Sequence, residues 1–131
     1  MVLVDTSVWI DFFQSPESPA ATTLTALIKG HNRVVLCGIV LQEILQGIRE
    51  RKNFELSRER LLKFPYVETN RDTWLLAATL YRKLRTKGFT FPPVDATIAA
   101  LTMQNGMELM SRDTHFETVA LHSTLKLYQP Y

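Results

Sequence analysis

Two short stretches of unbroken apolar residues, MVLV at positions 1–4 and the VVLC of RVVLC at 34–37, limit the folds open to this chain. A strand with one face in water alternates apolar and polar side chains. A strand without alternation is buried on both faces, which is the pattern of a parallel sheet covered by helices on each side. The segments between the apolar runs supply such helices. SVWIDFF (7–13) reads as a helical turn or two ended by the prolines of QSPESP, and AATTLTALIKG (20–30) as a helix closed by Gly30. IVLQEILQGIR (39–49) sets Leu41, Ile44, Leu45 and Ile48 on one side of a helix. FELSRERLLKF (54–64) is a further amphipathic helix stopped by Pro65. RDTWLLAATLYRKLRTKG (71–88) is the clearest helix of all, with Asp72 placed to cap its start and Lys83, Arg85, Lys87 and Gly88 crowding its end. PPVDATIAALTMQNG (92–106) has prolines before its first turn and a glycine after its last. YVET, MELMS and LKLYQ complete the set as short strands. Strands alternating with helices predict an α/β fold whose parallel sheet is flanked by helices on both faces. At 131 residues the chain fits one domain over 1–131.

Composition excludes several classes. An apolar content of 46% suffices for a core, and 21% charged residues is too few for a disordered polyelectrolyte. The apolar runs are too short to cross a bilayer, and Asp5 and Asp11 interrupt any secretory h-region, so the expected location is cytoplasmic with no membrane partner. Cys37 is the only cysteine, which leaves no internal disulfide or cysteine-rich zinc site; within RVVLC it reads as an inert core thiol. A net charge of +2 permits a nucleic-acid partner without requiring one.

Most of the 13 acidic residues lie in polar surroundings or near helix starts, where solvation or capping accounts for them. Four stand in odd places. Asp5 ends a buried strand. Glu43 sits among apolar residues in IVLQEILQG, with Gly47 one turn along the same face leaving space beside it. Asp95 opens a helix apolar on most sides, and Asp113 follows the MELMS strand. Each alone has an ordinary reading: Asp5, Asp95 and Asp113 as helix caps, Glu43 as the partner of a buried arginine. In a parallel sheet, however, ligands bind beyond the carboxyl ends of the strands, and Asp5 and Asp113 emerge there together if both strands are central. Clustered carboxylates repel, and a divalent cation relieves that repulsion. An oxygen-only donor set points to Mg²⁺ or Mn²⁺, a pairing suited to phosphodiester hydrolysis by activated water. No serine has a histidine spaced to activate it, and no phosphate-cradling GxxxxGK[ST] loop is present.

LVDTSVWIDFF, LQEILQG, PPVDATIAA and MSRDTHF, in that order, resemble the PIN-domain ribonucleases, and most closely the VapC-like toxins of toxin–antitoxin pairs. The resemblance covers nearly the whole chain. It implies a Rossmann-like sheet bearing four clustered acids, carried here by Asp5, Glu43, Asp95 and Asp113. It also implies Mg²⁺- or Mn²⁺-dependent RNA cleavage, with Asp5 and Asp95 as the firmest metal ligands and Asp113 beside them. Ser7 matches a position that hydrogen-bonds within the site, and Thr6 matches the same motif. A cognate antitoxin laid over an apolar groove and a homodimer are the implied partners. Many relatives carry a further acid two residues after the fourth; here His115 stands there, implying weaker or substrate-dependent binding of a second ion. His115 is then either a tolerated surface residue or a group that contacts RNA phosphate or moves a proton.

Arg82 and Arg85, with Lys83 and Lys87, read as complement to the helix dipole or as RNA contacts. Arg112 reads as an RNA contact or as the partner of an acid, and Arg49, Arg51 and Lys52 form a second basic patch. Trp9, Phe12 and Phe13 read as part core, part partner surface, and Asp11 as a surface residue. A non-catalytic PIN fold binding RNA or protein is the rival reading. A phospho-acceptor domain is disfavoured, because Asp5 is followed by Thr6 and YVETN offers no acceptor aspartate.

Overall fold

The computed structural model describes residues 1–31 and 33–129. Its elements run β1 (Val2–Val4), α1 (Thr6–Gln14), α2 (Pro19–Lys29), β2 (Val34–Cys37), α3 (Gly38–Gln46), α4 (Arg51–Leu61), β3 (Tyr66–Val67), α5 (Arg71–Thr86), α6 (Pro93–Gln104), β4 (Glu108–Met110), α7 (His115–Leu121) and β5 (Lys126–Leu127). The five strands form one sheet in the order β3-β2-β1-β4-β5, and every pairing is parallel. β1 is central. Leu3 pairs with Val35 on one side and Leu109 on the other. All residues of β1 and β2 are buried, as unbroken apolar runs demand.

The chain leaves β1 in one direction to reach β2 and β3, then returns across the sheet to β4 and β5. Right-handed crossovers put α1–α4 on one face and α5–α7 on the other. Helix contacts follow this division: α1 packs on α2 and α3, and α3 on α4, while α6 packs on α5, α7 and β4. α6 is the most enclosed helix, with Asp95 through Thr102 all buried. Leu3, Val4, Val8, Trp9, Leu24, Leu84, Ile98, Leu101 and Phe116 fill the core between these layers. Cys37 is buried there, and burial pushes its thiol up, as expected of an unreactive core residue.

Three local expectations are revised. Asn70, not Asp72, caps α5: its side chain accepts from the Thr73 N–H at 3.1 Å, and the Thr73 hydroxyl accepts from the Asn70 N–H at 3.0 Å. Asp72 lies inside the first turn, where it faces the helix dipole but satisfies no free N–H. Gly47 is the residue at which α3 ends, rather than a gap in its flank. α7 is a helix of its own that HFETVAL was too short to announce by periodicity. Among the described residues no helix is long and apolar enough to cross a membrane.

The cap assignment sets a test. Asn70→Ala is expected to lower stability by about 1 kcal/mol, and Asp72→Ala by no more than about 0.5 kcal/mol. Urea denaturation of both variants checks the ranking.

Candidate active site

β1 and β4 are neighbours, so residues that leave their carboxyl ends leave on one rim. The Asp5 backbone N–H donates to the Met110 carbonyl at 2.8 Å, which ties the two exits together. Asp5 holds the N-cap position of α1 with extended backbone, yet its side chain makes no cap hydrogen bond. Its Oδ2 instead accepts from Ser7 Oγ at 3.1 Å and Ser111 Oγ at 2.7 Å. The carboxylate is therefore turned towards β4 and away from the helix it begins.

The same serines position the loop after β4. Ser111 Oγ accepts from the Asp113 N–H at 3.0 Å, and Ser7 Oγ accepts from the Arg112 N–H at 3.1 Å. Asp113 projects from that loop and is exposed. Thr114, not Asp113, is the N-cap residue of α7. On the far face, Pro93 at the first position of α6 starts the helix, and Asp95 lies in the first turn, 9% exposed. Glu43 extends from α3, half-buried, and accepts from Thr6 Oγ1 at 2.8 Å. No arginine pairs with Glu43 among the described residues; the hydroxyl of Thr6 holds it instead.

His115, the first residue of α7, contacts Asp95 through Nε2 and Oδ2. One ligand atom each from Asp95, Asp113 and His115 lie within 4.8 Å of one another. Asp5 stands beside this group rather than within it, close enough for the charge of Asp113 to act on it. Of the four predicted acids, Asp95 and Asp113 thus converge most tightly, with Asp5 and Glu43 adjacent.

The electrostatics reflect this crowding. Burial pushes the Asp5 carboxyl up from 3.8 to about 6, opposed by hydrogen bonds from Ser111, Ser7 and the Thr6 backbone and reinforced by Asp113. Burial also raises Asp95; the His115 contact opposes that rise, and the charges of Asp113 and Glu43 add to it. Carboxylates held together in this way gain by sharing a cation.

Asp11 differs from its sequence reading, while Arg112 takes the second of its two readings, as the partner of an acid. Arg112 Nη1 lies 2.8 Å from Asp11 Oδ1, and Asp11 is buried at 9% exposure. Asp11 therefore has a structural partner rather than a surface role. The pair braces α1 against the loop carrying Asp113. Arg82 and Arg85 remain exposed on α5, where they line a groove with Trp74, Tyr81 and Thr97; Arg85 lies 5.6 Å from the Tyr81 ring centre. Ser111 was not singled out among the site residues. The one available signal was its place at the end of MELMS, two residues before Asp113.

A family model described as PIN domain matches residues 2–121, and the chain belongs to that family of Rossmann-like α/β proteins. Within it the chain is VapC-like. It is 31% identical over 130 residues to Ribonuclease VapC11 of Mycobacterium tuberculosis, with 96% of each chain covered. Its backbone matches the structure of VapBC2 from Rickettsia felis with a TM-score of 0.81 at 17% identity over 98% of both chains. FitAcB from Neisseria gonorrhoeae gives 0.77 at 22% identity, covering 99% of this chain and 98% of that one. These last two likenesses bear on the fold alone.

Two outcomes test the electrostatics. The Asp5 carboxyl is higher in the folded protein than in the unfolded chain, so its contribution is favourable below about pH 4 and is lost as pH rises through about 6, a cost near 3 kcal/mol. In metal-free protein, Asp5→Asn should therefore raise the melting temperature at about pH 8 and lose that advantage as pH falls towards 4; a pH-independent difference would contradict the assignment. Separately, Arg112→Gln and Asp11→Asn should each lower the melting temperature, the former through a stability loss of about 1–3 kcal/mol because it leaves a buried acceptor unpaired. Unchanged melting in both would return Arg112 to the role of an RNA contact.

Proposed function

We propose that the chain, acting as one PIN domain, is a divalent-metal-dependent endoribonuclease and the toxin of a toxin–antitoxin pair. The observation that carries this reading is the meeting of Asp5, Asp95 and Asp113 at one end of the central strands, with Glu43 alongside. The donor set suits a cation: carboxylate oxygens and an imidazole nitrogen lie within the span of one ion, and burial and mutual repulsion raise the two most enclosed acids. Asp95 and Asp113 would hold the ion, with Asp5 as a further ligand from the end of β1. When bound, such an ion supplies a nucleophilic water near neutral pH and offsets charge developing on the phosphate.

The protein's own residues do the rest. Ser7 and Ser111 fix the Asp5 carboxylate by occupying Oδ2, which leaves Oδ1 free of both hydroxyls. Glu43, oriented by the Thr6 hydroxyl, would accept a proton from the attacking water. The exposed guanidinium groups of Arg82 and Arg85 would meet RNA phosphates on the α5 side. Mg²⁺ and Mn²⁺ are the ions to test.

The partner reading rests on the relatives. Solved neighbours include toxin–antitoxin complexes, some with DNA. On this chain, Trp9, Phe12, Phe13 and Phe64 line an apolar groove edged by Arg60 and Lys63, fit for the apolar segment of an antitoxin. A homodimer acting on RNA in the cytoplasm completes the proposal.

Purified protein should cleave RNA only with a divalent cation and stop on addition of EDTA. Asp95→Asn should reduce the rate by at least about 100-fold, as expected when a group that acts in the transition state is removed. Equal, cation-independent behaviour of wild type and Asp95→Asn, mapped by RNA end sequencing, would instead support a non-catalytic binding module.

A further inference from the structure

His115 occupies a place where the resemblance leads one to expect an acid. Its surroundings do not leave it as a loose surface side chain. The ring packs 5.0 Å from Phe116, centre to centre, and borders a recess with Leu84, Phe89, Phe91 and Val119. Held from that apolar side, it meets Asp95 through Nε2. The three ligand atoms of Asp95, Asp113 and His115 lie within 4.8 Å of one another, close to the reach of one ion, whose ligands at about 2.0–2.2 Å stand at most about 4.4 Å apart.

Replacing a carboxylate by an imidazole at this point has two physical effects. It removes one negative charge, which weakens attraction for a hard cation such as Mg²⁺, an ion that favours oxygen donors in near-ideal octahedral geometry. It adds a nitrogen donor, which strengthens binding of first-row transition ions in the order of their ligand affinity. Both effects move selectivity the same way. We propose that His115 Nε2 is a direct ligand of the catalytic ion, and that the centre therefore selects a first-row transition ion, with Mn²⁺ as the simplest case, over Mg²⁺. This deepens the metal-dependent nuclease reading and rests on it.

Binding and spectroscopy test the proposal without reference to turnover. Wild-type protein loaded with Mn²⁺ should show a directly coordinated histidine nitrogen by pulsed electron paramagnetic resonance, and the signal should change on ¹⁵N-histidine labelling. His115→Gln should abolish it, which separates His115 from His31 and His122. In competition dialysis, His115→Asp should bring the Mn²⁺-to-Mg²⁺ preference down by about tenfold or more, as loss of a ligand or its close support does. Should either variant fail to fold, the labelled wild-type signal and the other variant still decide. Mn²⁺ bound with no histidine coupling would overturn the inference and leave the nuclease reading standing. No binding of Mn²⁺ or Mg²⁺ would overturn both.

Discussion

A carboxylate at 3% exposure ends the middle strand of the sheet, and the rest of the structure has to accommodate it. Burying a charge is costly unless it is paired or hydrogen-bonded. Asp5 has no arginine or lysine against it among the described residues. It has two serine hydroxyls on one oxygen, and these do not offset the burial. That residual cost, to which the neighbouring charge of Asp113 adds, is one that a cation at this rim would lower. Each acid adds repulsion that a proton or a shared ion would relieve.

The supporting groups belong to a single device. Ser7 lies in the first turn of α1 and Ser111 follows β4, and both donate to Asp5 Oδ2 while accepting from the loop that carries Asp113. Arg112, in the same loop, reaches back to Asp11 on α1. Two ordinary-looking hydroxyls and one ion pair thus hold the first and last acids in fixed relation. The third acid is placed by another layer, through the enclosed helix α6, and the second by α3 with the help of Thr6. A rigid sheet with helices on both faces brings all of them to one edge, because parallel strands all end on the same side.

Much of this was legible in the sequence. Unbroken apolar runs at 1–4 and 34–37 gave away a buried parallel sheet, and the four acids drew notice by context, Asp5 and Asp113 after strands, Glu43 and Asp95 among apolar residues. The helices α5 (Arg71–Thr86) and α6 (Pro93–Gln104) were plain within 71–88 and 92–106, the first from periodicity and its basic, glycine-ended last turn, the second from its proline and glycine boundaries. Less was legible where several residues compete for one role. Asp72 and Asn70 are both good cap residues, and backbone geometry alone decides which accepts the free N–H. Asp11 looked like a solvated helix residue because its partner, Arg112, lies 101 positions away.

The sequence by itself determined the class of fold and the identity of the carboxylates. Periodicity and burial are local, and a charge among apolar neighbours is visible without a structure. Only the tertiary structure decided how those carboxylates are used. Whether Asp5 caps α1 or turns to β4 depends on Ser111, 106 residues away, and on the strand order that sets β4 against β1. Whether His115 is a surface residue or a member of the cluster depends on α7 starting where α6 begins its first turn. Contacts of that kind arise from chain crossings, and a spacing along the chain carries no record of them.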